Sequence, residues 1–170
     1  MQEELSIAGL CKAQFDYVKE HTTMEHTDPK IAAAGECGAA TAGEYGAAAA
    51  GYRGAATAGE YGAATAGDCG AATAGNCGSA AAGECGAATA GEYGAATSRG
   101  SVSVGKNGCG LARGNGVKIR GGLGAVLVIC EECSGSYDIK SWISVIVDGE
   151  TVKVDTWYRL HDGKLEEVEE

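Results

Sequence analysis

The chain has 170 residues, among them 29 Gly, one Pro and one Phe, and a net charge of −10. Between Ala32 and Ser101 there is almost no large apolar side chain, so a conventional globular core is excluded there, and the strict repeat of the segment argues against disorder. The acidic balance, relieved only by a basic excess over 99–133, argues against wrapping DNA or an anionic membrane and leaves a basic protein as the fitting partner.

The opening residues have no basic n-region, long apolar run or small-residue cleavage site, so no signal peptide is read. No stretch approaches the roughly 18 apolar residues of a membrane span. The eight Cys are therefore expected as reduced thiols in a cytoplasmic protein. Leu5, Ile7, Leu10, Cys11, Phe15 and Val18 recur at helical spacing, which predicts an amphipathic helix over 3–20, within an N-terminal cap at 1–34.

Eight octapeptides then run without a gap from Gly35 to Ser98, from GECGAATA to GEYGAATS. A short fixed period is the signature of stacked units. Gly at the first and fourth positions suits turns that visit positive φ. The four residues between turns read as a short strand, because Gly at every fourth place would cost a helix about 1 kcal/mol each time. Columns drawn at a spacing of sixteen put like on like: Cys37, Arg53, Cys69, Cys85 in one and Tyr45, Tyr61, Cys77, Tyr93 in the other. A three-octad coil would mix Cys with Tyr. The expected fold is therefore all-β, a two-sided parallel β-solenoid of about 16 residues per coil and about 4.8 Å per coil.

Alternation places the sixth and eighth positions of each octad inside and Thr outside. Val117-Lys118-Ile119-Arg120 argues for the opposite phase if the register holds. The strands predicted at 101–104, 109–112, 117–120 and 125–128 extend the solenoid, with bulkier contents, over 35–133. A C-terminal antiparallel β-hairpin unit is expected at 134–170: Ile139 to Val147, a turn at Asp148-Gly149, a return strand Glu150 to Val154, and a second turn at His161-Asp162-Gly163-Lys164. The array, followed by VKIRGGLGAVLVIC and VDGETVKVDTWYRL, resembles an uncharacterised family of bacterial and phage proteins common in gut metagenomes. That resemblance implies a solenoid and a mobile-element setting, and no functional residues.

The motifs of catalysis are missing: His21, His26 and His161 fall in expected loops or termini, no Ser sits in a nucleophile elbow, and no glycine loop matches a phosphate cradle. Cys130-Glu131-Glu132-Cys133 is a lone CxxC, and zinc normally needs a second pair. No cofactor or metal is expected. The Thr file Thr41, Thr57, Thr73, Thr89 is the pattern of ice-binding solenoids, but it is the one complete rank.

The acidic turn positions, Glu36, Asp68 and Glu84 in one column and Glu44, Glu60 and Glu92 in the other, together approach the charge density of one DNA strand. Solvated turn residues would show the same acidity. The expected function is a non-catalytic acidic binding protein of phage or mobile-element origin. It would occupy the nucleic-acid site of a host protein, such as a CRISPR effector or topoisomerase, through those six carboxylates with Tyr45, Tyr61 and Tyr93. A spacer rod is the rival reading. Homodimerisation is a further expectation, since flat small-residue faces and the hairpin unit both invite it.

Overall fold

A computed structural model describes residues 30–168, all in strands and turns. The helix expected at 3–20 lies outside the described residues. The first strand, β1 (Ile31–Ala34), begins before the octad array and already pairs in parallel with β3 (Ala47–Ala50) at a spacing of sixteen, Ile31 beside Ala47. The same spacing joins β2 (Ala39–Ala42) to β4 (Ala55–Ala58), β3 to β5 (Ala63–Ala66), and β4 to β6 (Ala71–Ala74). Two strands and two turns therefore make one coil, and the stack runs for about six turns.

Two long strands, β7 (Ser79–Ala90) and β8 (Ala95–Val104), each bend round a corner and contribute to both faces. The first face comprises β1, β3, β5, the starts of β7 and β8, β9 (Cys109–Arg113), β11 (Val126–Glu132) and β12 (Ile139–Ile146). The second comprises β2, β4, β6, the ends of β7 and β8, β10 (Lys118–Gly121), β13 (Trp157–His161) and β14 (Lys164–Val168).

The phase follows from side-chain size. In every four-residue octad strand the second and fourth residues are buried and the first and third exposed, so paired Ala columns such as Ala56, Ala64 and Ala72 fill a thin interior. The glycines hold the stack for a different reason from the one expected. A Cβ on Gly59 would sit 2.8 Å from the Gly43 carbonyl carbon one coil below, and one on Gly46 would sit 2.7 Å from the Ala42 Cβ. Positive φ falls instead on the third residue of each turn, Cys37, Tyr45, Arg53 and their successors, at 53–56°. Gly38 N–H donates to the Gly35 carbonyl at 3.1 Å, closing a turn with the pattern of type II. The Cys37 N–H instead reaches Tyr52 O of the next coil at 2.8 Å.

The coil length then changes twice. At Arg99-Gly100 two residues replace a four-residue turn, so Ser101 stacks on Ala87 after fourteen residues. Buried Ser98 seals the short cut, its Oγ donating to Gly86 O at 2.7 Å and accepting from Gly100 N–H. At 113–117 one residue is gained, so Lys118 stacks on Ser101 after seventeen. The strands expected at 117–120 and 125–128 therefore begin one residue later, and the phase conflict disappears. Ile119 and Leu127 point inward, while Val117 and Ala125 take the buried fourth position of the turns. The largest fully buried side chains, Val102, Ile119, Leu127, Ile129 and Val147, all lie beyond residue 101. At about 1.5–3 kcal/mol per fully buried aliphatic side chain, most of the hydrophobic stabilisation is concentrated there.

The closing segment differs from expectation at Asp148-Gly149. No return strand forms at 150–154; β12 instead folds back antiparallel onto β11, from Val126 beside Ile146 to Glu132 beside Ile139. The Asp148 carboxylate accepts the N–H groups of Glu150, Thr151 and Val152, each at 2.9 Å, turning the chain across the end of the stack. Val147 and Val152 are buried in that crossing. The chain then reaches the second face, where Tyr158 pairs antiparallel with Ile119 and the expected turn at Asp162-Gly163 joins β13 to β14. The parallel stack thus ends in antiparallel strands on both faces.

Candidate functional site

The sixteen-residue coil delivers the turn residues to two opposite corners. The first corner follows the first-face strands and carries Glu36, Tyr52, Asp68 and Glu84 with Cys37, Arg53, Cys69 and Cys85. The second follows the second-face strands and carries Glu44, Glu60, Asn76 and Glu92 with Tyr45, Tyr61, Cys77 and Tyr93. The structure therefore unites Glu44, Tyr45, Glu60, Tyr61, Glu92 and Tyr93, and sets Glu36, Asp68 and Glu84 on the opposite edge.

The two edges differ in how far their charges are already engaged. On the first corner Asp68 Oδ1 accepts the Glu84 N–H at 2.8 Å, and Glu84 pairs with Arg99 Nε at 3.5 Å. Arg53 lies over the Tyr52 ring at 6.0 Å and adds a positive charge to the row. On the second corner Asn76 performs the structural task, accepting the Glu92 N–H at 2.9 Å and donating to Glu60 Oε1 at 3.4 Å.

The tyrosines of the second corner occupy the left-handed third position, where an L residue is strained and Gly or Asn would be expected. That backbone projects the side chain away from the stack: Tyr45, Tyr61 and Tyr93 are 64%, 53% and 61% exposed. The rings of Tyr45 and Tyr61 stack at 5.0 Å and 7° between planes. The Cys77 thiol, next in the column, and then Tyr45 raise the Tyr61 hydroxyl above its ordinary pKa, because both disfavour a phenolate beside them. The exposed tyrosines thus stand beside the carboxylates along one edge, in a backbone conformation that the third turn positions of both corners share.

Sequence reasoning missed a second charged region. Glu131 and Glu132 are both buried at the end of β11. Arg99 grips Glu132 with two bonds of 2.8 and 2.7 Å, and Arg113 Nε adds a third at 2.8 Å. The Arg99 hydrogen bonds and the Arg113 guanidinium hold the Glu132 carboxyl at a pKa of about 2 against the opposing effect of burial. Ser141 and Lys140 bond Glu131, and Lys140 also reaches Asp162 at 2.6 Å, tying β12 to the β13–β14 turn. An open cavity of about 580 Å³ lies among these residues, Arg159 and His161. Of its charges, Lys140 pairs with Glu131 and Asp162, Glu132 with Arg99 and Arg113, and Arg159 with Glu166, which marks a clamp between coil and closing strands. Nothing local in the sequence signals it, since Arg99 lies 33 residues from Glu132.

The lone CxxC spans this clamp. Cys130 is buried and Cys133 half-buried, and burial pushes the Cys130 thiol up, away from the reactive thiolate. Among the described residues no three of His, Cys, Asp and Glu converge as metal ligands. The Thr file is a real column: Thr41, Thr57, Thr73 and Thr89 stand in register on the outer surface of the second face, followed by Ser103. Comparisons with protein-family models, curated proteins and solved structures gave no match.

Proposed function

We propose that the protein is a non-catalytic binding protein that engages a basic groove of a protein partner through its second corner. The observation that carries this reading is the Tyr45–Tyr61 ring stack flanked by Glu44 and Glu60. Grooves that bind a single nucleic-acid strand combine cationic walls with surfaces that accept stacked rings. An edge with one stacked ring pair, a further exposed Tyr93 and carboxylates at three of its four turns offers the same two features. The partner class is therefore a protein whose groove ordinarily holds nucleic acid, and binding would block that groove. The reading uses the second corner alone, because on the other edge Arg99 pairs with Glu84 and Arg53 adds a positive charge, whereas Glu60 is met only by the neutral Asn76.

The test is capture from a nuclease-treated bacterial lysate by the immobilised chain, repeated with Glu44→Lys/Glu60→Lys/Glu92→Lys. The specific partner should elute with a single-stranded oligonucleotide and bind the triple variant at least about tenfold more weakly. A partner that survives both challenges would overturn the reading.

A further inference from the structure

The first corner carries a row of thiols that takes no part in the tyrosine edge. Its third turn positions are Cys37, Arg53, Cys69 and Cys85, and all four are exposed. Free cysteine ordinarily packs in the interior as a small apolar side chain. Here it faces solvent from a left-handed backbone, at φ 55° in Cys37, 56° in Cys69 and 53° in Cys85. Cys69 and Cys85 occupy adjacent coils. The sixteen-residue register holds on both sides of their turns, with Ala66 beside Ala82 and Ala71 beside Ala87. The Cys69 N–H donates to Glu84 O at 2.7 Å, so the turns themselves stack. Matching backbone angles then point the two Cα–Cβ bonds the same way, one coil pitch of ~4.8 Å apart. Cys37 has no such neighbour above it, since Arg53 fills the coil between Cys37 and Cys69. Beyond Cys85 the short cut sets Gly100 against the Cys85 carbonyl, and no side chain continues the row.

We propose that Cys69 and Cys85 form a two-thiolate site for a soft monovalent cation, copper(I), bound between the two sulfurs. The pitch favours a bridging ion over a direct bond. A disulfide needs its Cβ atoms about 3.8 Å apart, about 1 Å less than the pitch that the hydrogen bonds between coils impose. Two metal–sulfur bonds of about 2.3 Å laid end to end span about 4.6 Å, close to that pitch. Ligand number selects the metal. Among the described residues no three of His, Cys, Asp and Glu converge, whereas a structural zinc takes four ligands. Soft sulfur donors limited to two suit copper(I). Binding releases both thiol protons, and two thiolates with one monovalent cation leave a single net negative charge. Arg53, next in the row below Cys69, supplies a positive charge beside it. In the neighbouring row Glu84 is paired with Arg99, and the Asp68 carboxylate holds the Glu84 N–H. The site lies on the corner opposite Tyr45 and Tyr61 and stands apart from the proposed binding edge.

The experiment is an anaerobic titration of the full, reduced chain with copper(I) against the chromogenic chelator bicinchoninate, followed by iodoacetamide alkylation and fragment-ion mass spectrometry. One equivalent of copper(I) should slow alkylation of Cys69 and Cys85 at least about tenfold and leave Cys37, Cys77 and Cys109 unchanged. Cys69→Ser and Cys85→Ser should each weaken copper(I) binding at least about tenfold, while Cys77→Ser binds as the wild type does. Far-UV circular dichroism checks each fold, and the alkylation pattern of the wild type decides the question without any variant. Five outcomes would each overturn the proposal. Copper(I) could stay with the chelator, protect Cys130 and Cys133 in place of the pair, or protect all cysteines alike. Either serine variant could bind undiminished, or sedimentation could show copper(I) doubling the 17.0 kDa mass by bridging two copies.

Discussion

At the scale of single residues the repeat divides its labour unexpectedly. Glycine is present where backbones approach, as at Gly59 against Gly43, and not where φ is positive. The strained third position is left to Cys, Tyr, Arg and, at Asn107, a residue suited to it. Left-handed geometry costs an L residue roughly 1–2 kcal/mol, less for Asn, whose short side chain bonds locally. Cys69, exposed at φ 56°, isolates the effect from other contacts. Cys69→Asn should raise stability by about 0.5–1 kcal/mol and Cys69→Val should lower it by about 1–2 kcal/mol, read by denaturant unfolding. Equal stability of the two would show that the turn relaxes. Gly59→Ala carries the complementary prediction: a loss of about 1–3 kcal/mol from overpacking against the coil below, in the same measurement. A neutral result there would mean that the coils can separate locally.

At the scale of elements, the clamp at Glu132 joins three pieces that the chain leaves far apart: the short-cut corner at Arg99, the end of β9 at Arg113 and the end of β11. Its acid response follows from the direction of the shift. The Glu132 carboxyl is held at about 2, below its ordinary value near 4.5, so its contribution is full above the ordinary value and is lost as pH falls toward 2. Glu132→Gln should cost about 3 kcal/mol at neutral pH, since two guanidinium groups lose their buried anion. The gap in unfolding temperature between the two proteins should close between pH 4.5 and 2. A gap that persists unchanged at pH 2 would place the stabilisation elsewhere. The contrast between this clamp and the coils explains what was legible in the sequence. The sixteen-residue coil could be read because Cys, Tyr and Thr each stack on their own kind. The burial of Glu131 and Glu132 could not, because their partners come from remote turns. Asp148-Gly149 resembles a hairpin turn, yet the Asp148 carboxylate takes three consecutive amides and turns the chain across the stack instead. The split of the nine candidate residues between two corners was legible in the columns; the engagement of Asp68 and Glu84 was not.

At the scale of the whole molecule, interchangeable octads allow function to be separated from length. Deleting 67–82 removes one full coil and carries away Asp68, Cys69, Asn76 and Cys77. Every remaining column keeps its corner, and Tyr93 descends to stack directly on Tyr61 beside an unbroken row of Glu44, Glu60 and Glu92. Deleting 75–82 removes half a coil. The strands still stack at sixteen, but everything beyond the cut exchanges corners, so Glu92 and Tyr93 move to the edge opposite Tyr45 and Tyr61. Both variants should keep a cooperative thermal transition, because the large buried side chains lie beyond residue 101. A rod that only sets distance responds to length, and the full-coil deletion, which shortens it by about 4.8 Å, must then do the greater harm. An edge that is read as a column responds in the reverse order. The sixteen-residue deletion should retain or tighten partner binding, and the eight-residue deletion should weaken it at least about tenfold, as measured by titration against the captured partner. Greater loss from the longer deletion would establish the spacer and remove the second corner as the binding edge.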